Sequence, residues 1–147
     1  MVNVRHAEPD DYAAVIDVVD DWWGGRAMAA MLPKLFLFHF RDTSLVAEVD
    51  GDLAGFLCGF CSQTFADEAY IHFVGVDPAQ RGAGVGRVLY ERFFDAVRPR
   101  TTVRAVTSPV NERSIAFHRA LGFEVDRVDD AYDGPGEPRV LLVKRLG

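Results

Sequence analysis

The segment VGVDPAQRGAGVGRVLYERFF, Val74–Phe94, constrains the fold more than any other part of the chain. A valine-rich run ends at Asp77-Pro78, and three glycines follow at alternate positions, Gly82, Gly84 and Gly86. From Val85 the pattern changes period. Val85, Val88, Leu89, Phe93 and Val97 share one face of a 3.6-residue repeat, with Arg87, Glu91, Asp95 and Arg98 off it. A strand is thus handed to a helix through bare backbone. Without Cβ atoms, successive N–H groups can turn inward as an anion-binding concavity, and the helix adds its unpaired first-turn donors and the positive end of its dipole. Arg81 and Arg87 flank the loop, so a diphosphate is its natural guest.

The rest of the chain supplies more strands and helices around this unit. Val2 to His6 reads as a short strand. A helix follows, with Pro9 early, Asp10 and Asp11 at its start, and Tyr12, Val15, Val18 or Val19, and Trp22 at helical spacing. WGGR breaks it, and Met28 to Phe40 reads as a second helix kinked or restarted at Pro33. SLVAEVDGDLAGFLCGFCSQ is a hairpin turning at Asp50-Gly51-Asp52, where glycine can take a positive φ. Tyr70 to Val76 and TTVRAVTS are strands, and Glu112 to Leu121 is a helix with Asn111 as N-cap and Gly122 as C′ residue. FEVDRV and RVLLVKRL are terminal strands joined across DDAYDGPGEP. The order β α α β β β α β α β β describes a mixed sheet in a single domain, residues 1–147, not a doubly wound one.

Charge and cysteine usage narrow the function. A net charge of −6 argues against a nucleic-acid partner, which needs a basic stripe to displace counterions. No apolar stretch is long enough for a membrane span, and MVNVRHAEPDDY lacks the order of a signal peptide, so a cytoplasmic protein with no membrane partner is expected. Cys58 and Cys61 form a C-x-x-C pair, but no second pair of metal ligands accompanies them. In a strand, residues three apart face opposite sides about 10 Å apart, beyond the roughly 7 Å limit for a disulfide. They read as two packed thiols, and no metal site is expected.

The loop alone admits several readings. A dinucleotide fingerprint needs G-x-G-x-x-G at the first strand of a βαβ unit, whereas this chain has G-x-G-x-G after about four strands. A Walker loop needs a Lys-Ser or Lys-Thr that is absent here. A coenzyme A site and a plain strand–helix turn remain. The choice comes from a second segment. Arg81-x-x-Gly84-x-Gly86 resembles the R/Q-x-x-G-x-G/A signature of the GNAT (general N-acetyltransferase) superfamily, and NERSIAFHRALGF, Asn111–Phe123, is similar to that superfamily's second motif. The predicted order of elements agrees with the family fold over nearly the whole chain.

The resemblance implies an α/β (mixed α+β) fold: a central mixed sheet of about seven strands with four helices, splayed between strands 4 and 5. It implies transfer of an acetyl group from acetyl-coenzyme A to a primary amine. By analogy, the amides of Arg81, Gly82, Ala83, Gly84, Val85 and Gly86 hold the pyrophosphate, Arg87 adds charge, and Asn111 belongs to the coenzyme-binding set. The pantetheine arm would pair with backbone at Val74 and Val76, with Gly75 a candidate bulge beside them or a glycine demanded by close packing.

Two histidines are candidate catalysts. Family members often carry a tyrosine general acid four residues before the glycine of the second motif, and that position here is His118. Its other reading is a hydrogen-bonded, half-buried side chain sharing a helix face with Ser114 and Leu121. The acceptor ammonium must lose a proton before it can attack. His72, on the face of Tyr70 and Val74, is the leading base, with Glu68 acting through water as the alternative. The family usually shapes its acceptor pocket from the first two helices and the final hairpin. Here those offer Trp22, Trp23, Arg26, Phe38, His39, Tyr132 and several aspartates, which would suit a small cationic amine, a lysine or a peptide N-terminus. Trp22-Trp23 equally reads as core at a helix end. The competing functions are a non-catalytic acyl-coenzyme A sensor on the same fold and an unrelated nucleotide-binding domain. A homodimer is expected by family analogy.

Overall fold

The computed structural model of the chain describes residues 1–147. Its elements are β1 (Val2–His6), α1 (Asp11–Trp22), α2 (Leu35–His39), β2 (Leu45–Val49), β3 (Asp52–Cys61), β4 (Glu68–Val76), α3 (Val85–Val97), β5 (Thr102–Thr107), α4 (Glu112–Ala120), β6 (Glu124–Asp129) and β7 (Arg139–Arg145). The seven strands are ordered β1-β2-β3-β4-β5-β7-β6, so the last strand enters between the fifth and sixth. The expected mixed α/β architecture of seven strands and four helices is the one observed. No helix is long and apolar enough to cross a membrane.

The chain divides into two compact units, the first being Met1–Phe60 with Ile71–Arg98. Here β1 pairs antiparallel with β2, and β2 with β3. The hairpin between β2 and β3 turns with both Asp50 (φ 52°) and Gly51 (φ 84°) in the left-handed region, the type I′ geometry that matches strand twist. Sequence had pointed to glycine alone. Asp11, in the first turn of α1, accepts both guanidinium nitrogens of Arg5 at 2.8 Å, which ties the helix start to β1. Val15, Val19 and Trp22 bury the inner face of α1. The stretch Met28 to Phe40 is two pieces, a 3-10 turn at Ala29–Met31 and then α2. Pro33 has no N–H and holds Leu32 out of the helical region (φ −113°, ψ 84°), so the second helix restarts rather than kinks.

Aromatic rings fill the space around α1, β3 and β4. Trp22 stacks on Phe56 at 6.1 Å, and Trp23 on Phe73 at 4.8 Å with 15° between ring planes. On α3, Val85, Leu89, Tyr90, Phe93, Phe94 and Val97 are buried, a wider face than the sequence stripe implied. The helix sits directly on β3 at Gly55, where a Cβ would lie 2.9 Å from Val85 Cγ1 and 3.1 Å from Leu89 Cδ1.

The second unit comprises Cys61–Tyr70 with Pro99–Gly147. In it β7 pairs antiparallel with both β5 and β6, and β6 carries one extra residue, Asp126. The guanidinium of Arg100 donates to the carbonyls of Ser62, Phe65 and Glu68 at 2.9–3.2 Å and fixes the turn that precedes β4. Asn111 caps α4 by accepting from the Ser114 amide at 3.1 Å, and Gly122 (φ 94°) ends it, as the residue types predicted. On β3, Cys58 and Cys61 are both free thiols, and burial pushes the Cys58 thiol up to about 12.

Candidate functional site

The glycine loop is built from its first residue onward. At the end of β4, the Asp77 amide donates to Ala54 O at 2.9 Å, and Asp77 Oδ1 accepts from the Ala79 amide at 2.9 Å. That pair turns the chain through Pro78–Gln80. Gly82 (φ 89°) and Gly84 (φ 82°) then take left-handed angles that an L side chain adopts at a cost. A Cβ at either would meet nothing within 4 Å, so conformation and not crowding calls for glycine. Gly86 is different. It lies inside the first turn of α3 and shows no positive φ, so no backbone need explains it.

This geometry decides which amides are available. Ala83 N–H donates to Gln80 O at 3.1 Å and Arg81 N–H to Pro78 O at 3.4 Å, so both are engaged within the loop. The first intrahelical bond runs from Val88 N–H to Gly84 O at 3.1 Å. The amides of Gly82, Gly84, Val85, Gly86 and Arg87 are left with no acceptor in the protein. Arg81, Gly82, Ala83, Gly84 and Arg87 are exposed around them. Five unanswered donors and two guanidinium groups at the positive end of a helix suit a multiply charged phosphate ester. Of the amides expected from sequence, those of Arg81 and Ala83 are thus engaged within the loop, and the Arg87 amide is open beside the others.

On β4 burial alternates without a break, and Val74 and Val76 are half-buried opposite the buried Phe73 and Gly75. Gly75 has a packing reason. A Cβ there would lie 2.6 Å from Phe56 Cε1 and 2.8 Å from the end of the Trp23 ring. Of the two readings of this glycine, close approach is the one with a visible cause.

His72, two residues before Val74, is half-buried. Its Nε2 lies 2.7 Å from the Met31 carbonyl oxygen, and a carbonyl only accepts, so Nε2 carries the proton. In the neutral ring the lone pair is then on Nδ1. The ring lies parallel to Phe36 at 5.0 Å with 7° between planes, which fixes its orientation. Glu68, the alternative base, is tied into an ion pair: its Oε1 accepts Arg104 Nε at 2.8 Å, and Arg104 also reaches Asp126 at 3.4 Å.

His118 has the opposite tautomer. Its Nδ1 donates to the Ser114 carbonyl at 2.7 Å, and the ring packs edge-on against Phe123 at 5.0 Å. The residue is 6% exposed. Burial lowers its affinity for a second proton below the ordinary value of 6.5, opposed by the bond to Ser114. Asn111 uses its side-chain oxygen to cap α4.

The residues expected to wall an acceptor divide. Trp22 and Trp23 turn ring faces to Phe56 and Phe73 and belong to the core. Arg26, Phe38, His39 and Tyr132 are exposed. Lys34, Leu35, Phe38 and His39 line a shallow hollow of about 260 Å³. The Lys34 ammonium lies 5.5 Å from the Tyr12 ring centre and 5.6 Å from that of Phe38. Burial and a hydrogen bond to Tyr132 hold the Tyr70 phenol well above its usual range. The sequence reading passed over Lys34, Met31 and the Tyr70–Tyr132 bond. No local pattern marks any of them, because each acts through a partner distant in the chain or in another element.

The sequence pattern described as "Acetyltransferase (GNAT) family" matches residues 9–123. The chain is similar to the 5-NmdU N-acetyltransferase of Pseudomonas phage PaMx11, 35% identical over 127 residues, which cover 85% of this chain and 89% of that protein. It is also similar to the L-2,4-diaminobutyric acid acetyltransferase of Nocardia farcinica, 37% identical over 89 residues. That match covers 59% of this chain and 46% of the Nocardia protein, so the chain spans under half of that relative. Among solved structures, a diaminobutyrate acetyltransferase from Paenibacillus lautus, in complex with diaminobutyric acid and coenzyme A, superposes with a TM-score of 0.79 at 19% identity. The superposition covers 98% of this chain and 95% of that one, and it speaks for the fold.

Proposed function

Because the chain belongs to the acetyltransferase (GNAT) family, we propose that it moves an acetyl group from acetyl-coenzyme A to the primary amine of a small molecule or peptide. The observation that carries this reading is the run of unanswered amides at Gly82, Gly84, Val85, Gly86 and Arg87, flanked by Arg81. These residues fit the pyrophosphate of the donor, and Val74 and Val76 offer backbone to its pantetheine arm. When bound, the donor supplies an activated carbonyl that a neutral amine attacks, with loss of the coenzyme thiolate.

In this reading His72 takes the proton that the acceptor ammonium must lose. Its Nε2–H is held by Met31, so Nδ1 is the basic atom. His118 could give a proton from Nε2 only as an imidazolium, the form its burial opposes. We therefore place the proton transfer on His72 and read His118 as a packed residue of α4. The acceptor is a small cationic amine: relatives are named for diaminobutyric acid, and the chain's net charge of −6 favours a cation. The enzyme works in the cytoplasm, where its donor is made and used. The family resemblance extends the proposal to a homodimer, which sedimentation would read directly.

The experiment is thiol release from acetyl-coenzyme A across a panel of diamines, amino acids, peptides and neutral amines. Turnover with diamines that falls as salt is added supports the whole reading. Turnover of neutral amines indifferent to salt rejects the cationic acceptor. Thermal stabilisation by acetyl-coenzyme A without thiol release on any amine indicates a sensor. Stabilisation by ATP or NAD alone rejects the coenzyme site.

A further inference from the structure

Asp20 sits near the end of α1, far in sequence from the glycine loop and from β4. Its Oδ1 accepts two backbone amides, Met28 N–H at 2.8 Å and Ala29 N–H at 3.0 Å. These are the donors that open the 3-10 turn Ala29–Met31, which has no cap of its own. The carboxylate therefore does for this turn what an N-cap side chain does for a helix, from eight residues upstream. Within the turn, Met31 N–H donates to Met28 O at 2.9 Å and Leu32 N–H to Ala29 O at 3.1 Å. The carbonyl of Met31 leaves the turn and accepts His72 Nε2–H at 2.7 Å. A continuous line of bonds thus runs from one carboxylate, through one turn of backbone, to one imidazole.

We propose that Asp20 is a positioning residue that sets the tautomer and aim of His72 through the Met31 carbonyl. The inference rests on the reading of His72 as the base. The physical reason is geometric. An imidazole with one nitrogen pinned as a donor presents a lone pair in a fixed direction on the other. A backbone carbonyl does the pinning well only if the backbone carrying it is fixed. The turn's own two hydrogen bonds and the buried Leu32 hold its far end, whereas its opening amides are held by Asp20 alone and would otherwise be unanswered, and Leu32-Pro33 breaks the chain before α2 can hold it from the other side. The ring stack on Phe36 fixes the ring plane but cannot choose which nitrogen bears the proton.

The test compares Asp20→Ala with Asp20→Asn, which keeps an acceptor oxygen in place. Two readouts are taken: steady-state kinetics and the nitrogen chemical shifts of the His72 ring. Wild type and Asp20→Asn are expected to show one Nε2–H tautomer. Asp20→Ala is expected to show a mixture, with kcat reduced about tenfold and the KM for acetyl-coenzyme A unchanged. An unaltered His72 signature or an unaltered kcat in Asp20→Ala overturns the inference. If Asp20→Ala does not fold, Asp20→Glu, which moves the carboxylate by one methylene, carries the same test. His72→Gln separates the two claims. Full kcat in that variant removes His72 as the base, whereas the ring signature in Asp20→Ala reports on positioning whatever His72 does.

Discussion

The imidazole of His72 and the backbone carbonyl of Met31, 41 residues apart in sequence, meet at 2.7 Å. That contact leaves the basic lone pair on Nδ1, and because His72 is half-buried where His118 is 6% exposed, the proposed proton transfer falls to His72. Replacing it by glutamine keeps a side chain able to donate to Met31 but removes the base. The expected result is a loss of about 10²-fold in kcat with little change in the KM for acetyl-coenzyme A. Initial rates of thiol release check it. A variant that keeps its kcat would leave the reaction without its proposed base.

The glycines of the loop answer to different needs, and two substitutions separate them. Gly84→Ala puts a Cβ at φ 82°, which costs about 1–2 kcal/mol of stability although the space around it is open. Gly86→Ala has no such strain, since Gly86 lies within α3, and should stabilise the helix by up to about 1 kcal/mol. Both place a methyl group among the amides that would hold the diphosphate, so both should raise the KM for acetyl-coenzyme A. Stability and affinity then move together in the first variant and in opposite senses in the second. Urea denaturation beside donor titration reads the pair.

Gly75→Ala tests whether close approach or backbone freedom explains that residue. A methyl group there would sit 2.6 Å from Phe56 and 2.8 Å from Trp23, both inside a packed aromatic cluster. Rings of that size move only with their neighbours, so the expected cost is about 1–3 kcal/mol. Calorimetry measures it. A neutral substitution would mean that the rings do not approach the strand as described.

These cases also mark what could be seen in the sequence. The ends of α4 were legible because Asn111 and Gly122 act on their own backbone within a few residues. The stripe on α3 was legible because amphipathic period is local, although Tyr90 and Phe94 widened it. The stretch after α1 was only half legible. Pro33 announced a break, but the turn before it is held by Asp20 from another element. The role of Gly75 was ambiguous because its cause is two rings from α1 and β3, not its own φ. The choice between the histidines needed tautomers, which depend on Met31 and Ser114 carbonyls that no side-chain pattern reports.

The ion pair of Asp11 with Arg5 gives a first dependence on pH. The Arg5 hydrogen bond holds the Asp11 carboxyl below its ordinary 3.8, against the opposing effect of burial. A carboxyl depressed in the folded state stabilises that state fully above its unfolded value and loses the contribution as pH falls through the folded one. Asp11→Asn should therefore cost about 1 kcal/mol at pH 7 and less at pH 2. Denaturation midpoints at the two pH values check this.

His118 gives a second dependence, in a different window. Burial holds its ring neutral, with its affinity for a proton below the ordinary 6.5, while the unfolded chain takes up a proton at that value. The unfolded state thus binds more protons between 6.5 and the lower folded value, and stability must fall as pH falls through that interval. At pH 8 both states hold a neutral imidazole, and the residue adds no slope. In His118→Gln the slope assigned to this residue should vanish, leaving a flatter stability curve between pH 7 and pH 5 than wild type. The same variant bears on catalysis. If His118 is a packed residue, its kcat falls far less than that of His72→Gln. If it donates the proton to the departing thiolate, the two variants lose comparable activity, and the rate falls as pH rises through the His118 titration. Equal stability slopes in wild type and variant would mean that the ring is not buried as a neutral group, and the argument against its acid role would go with it.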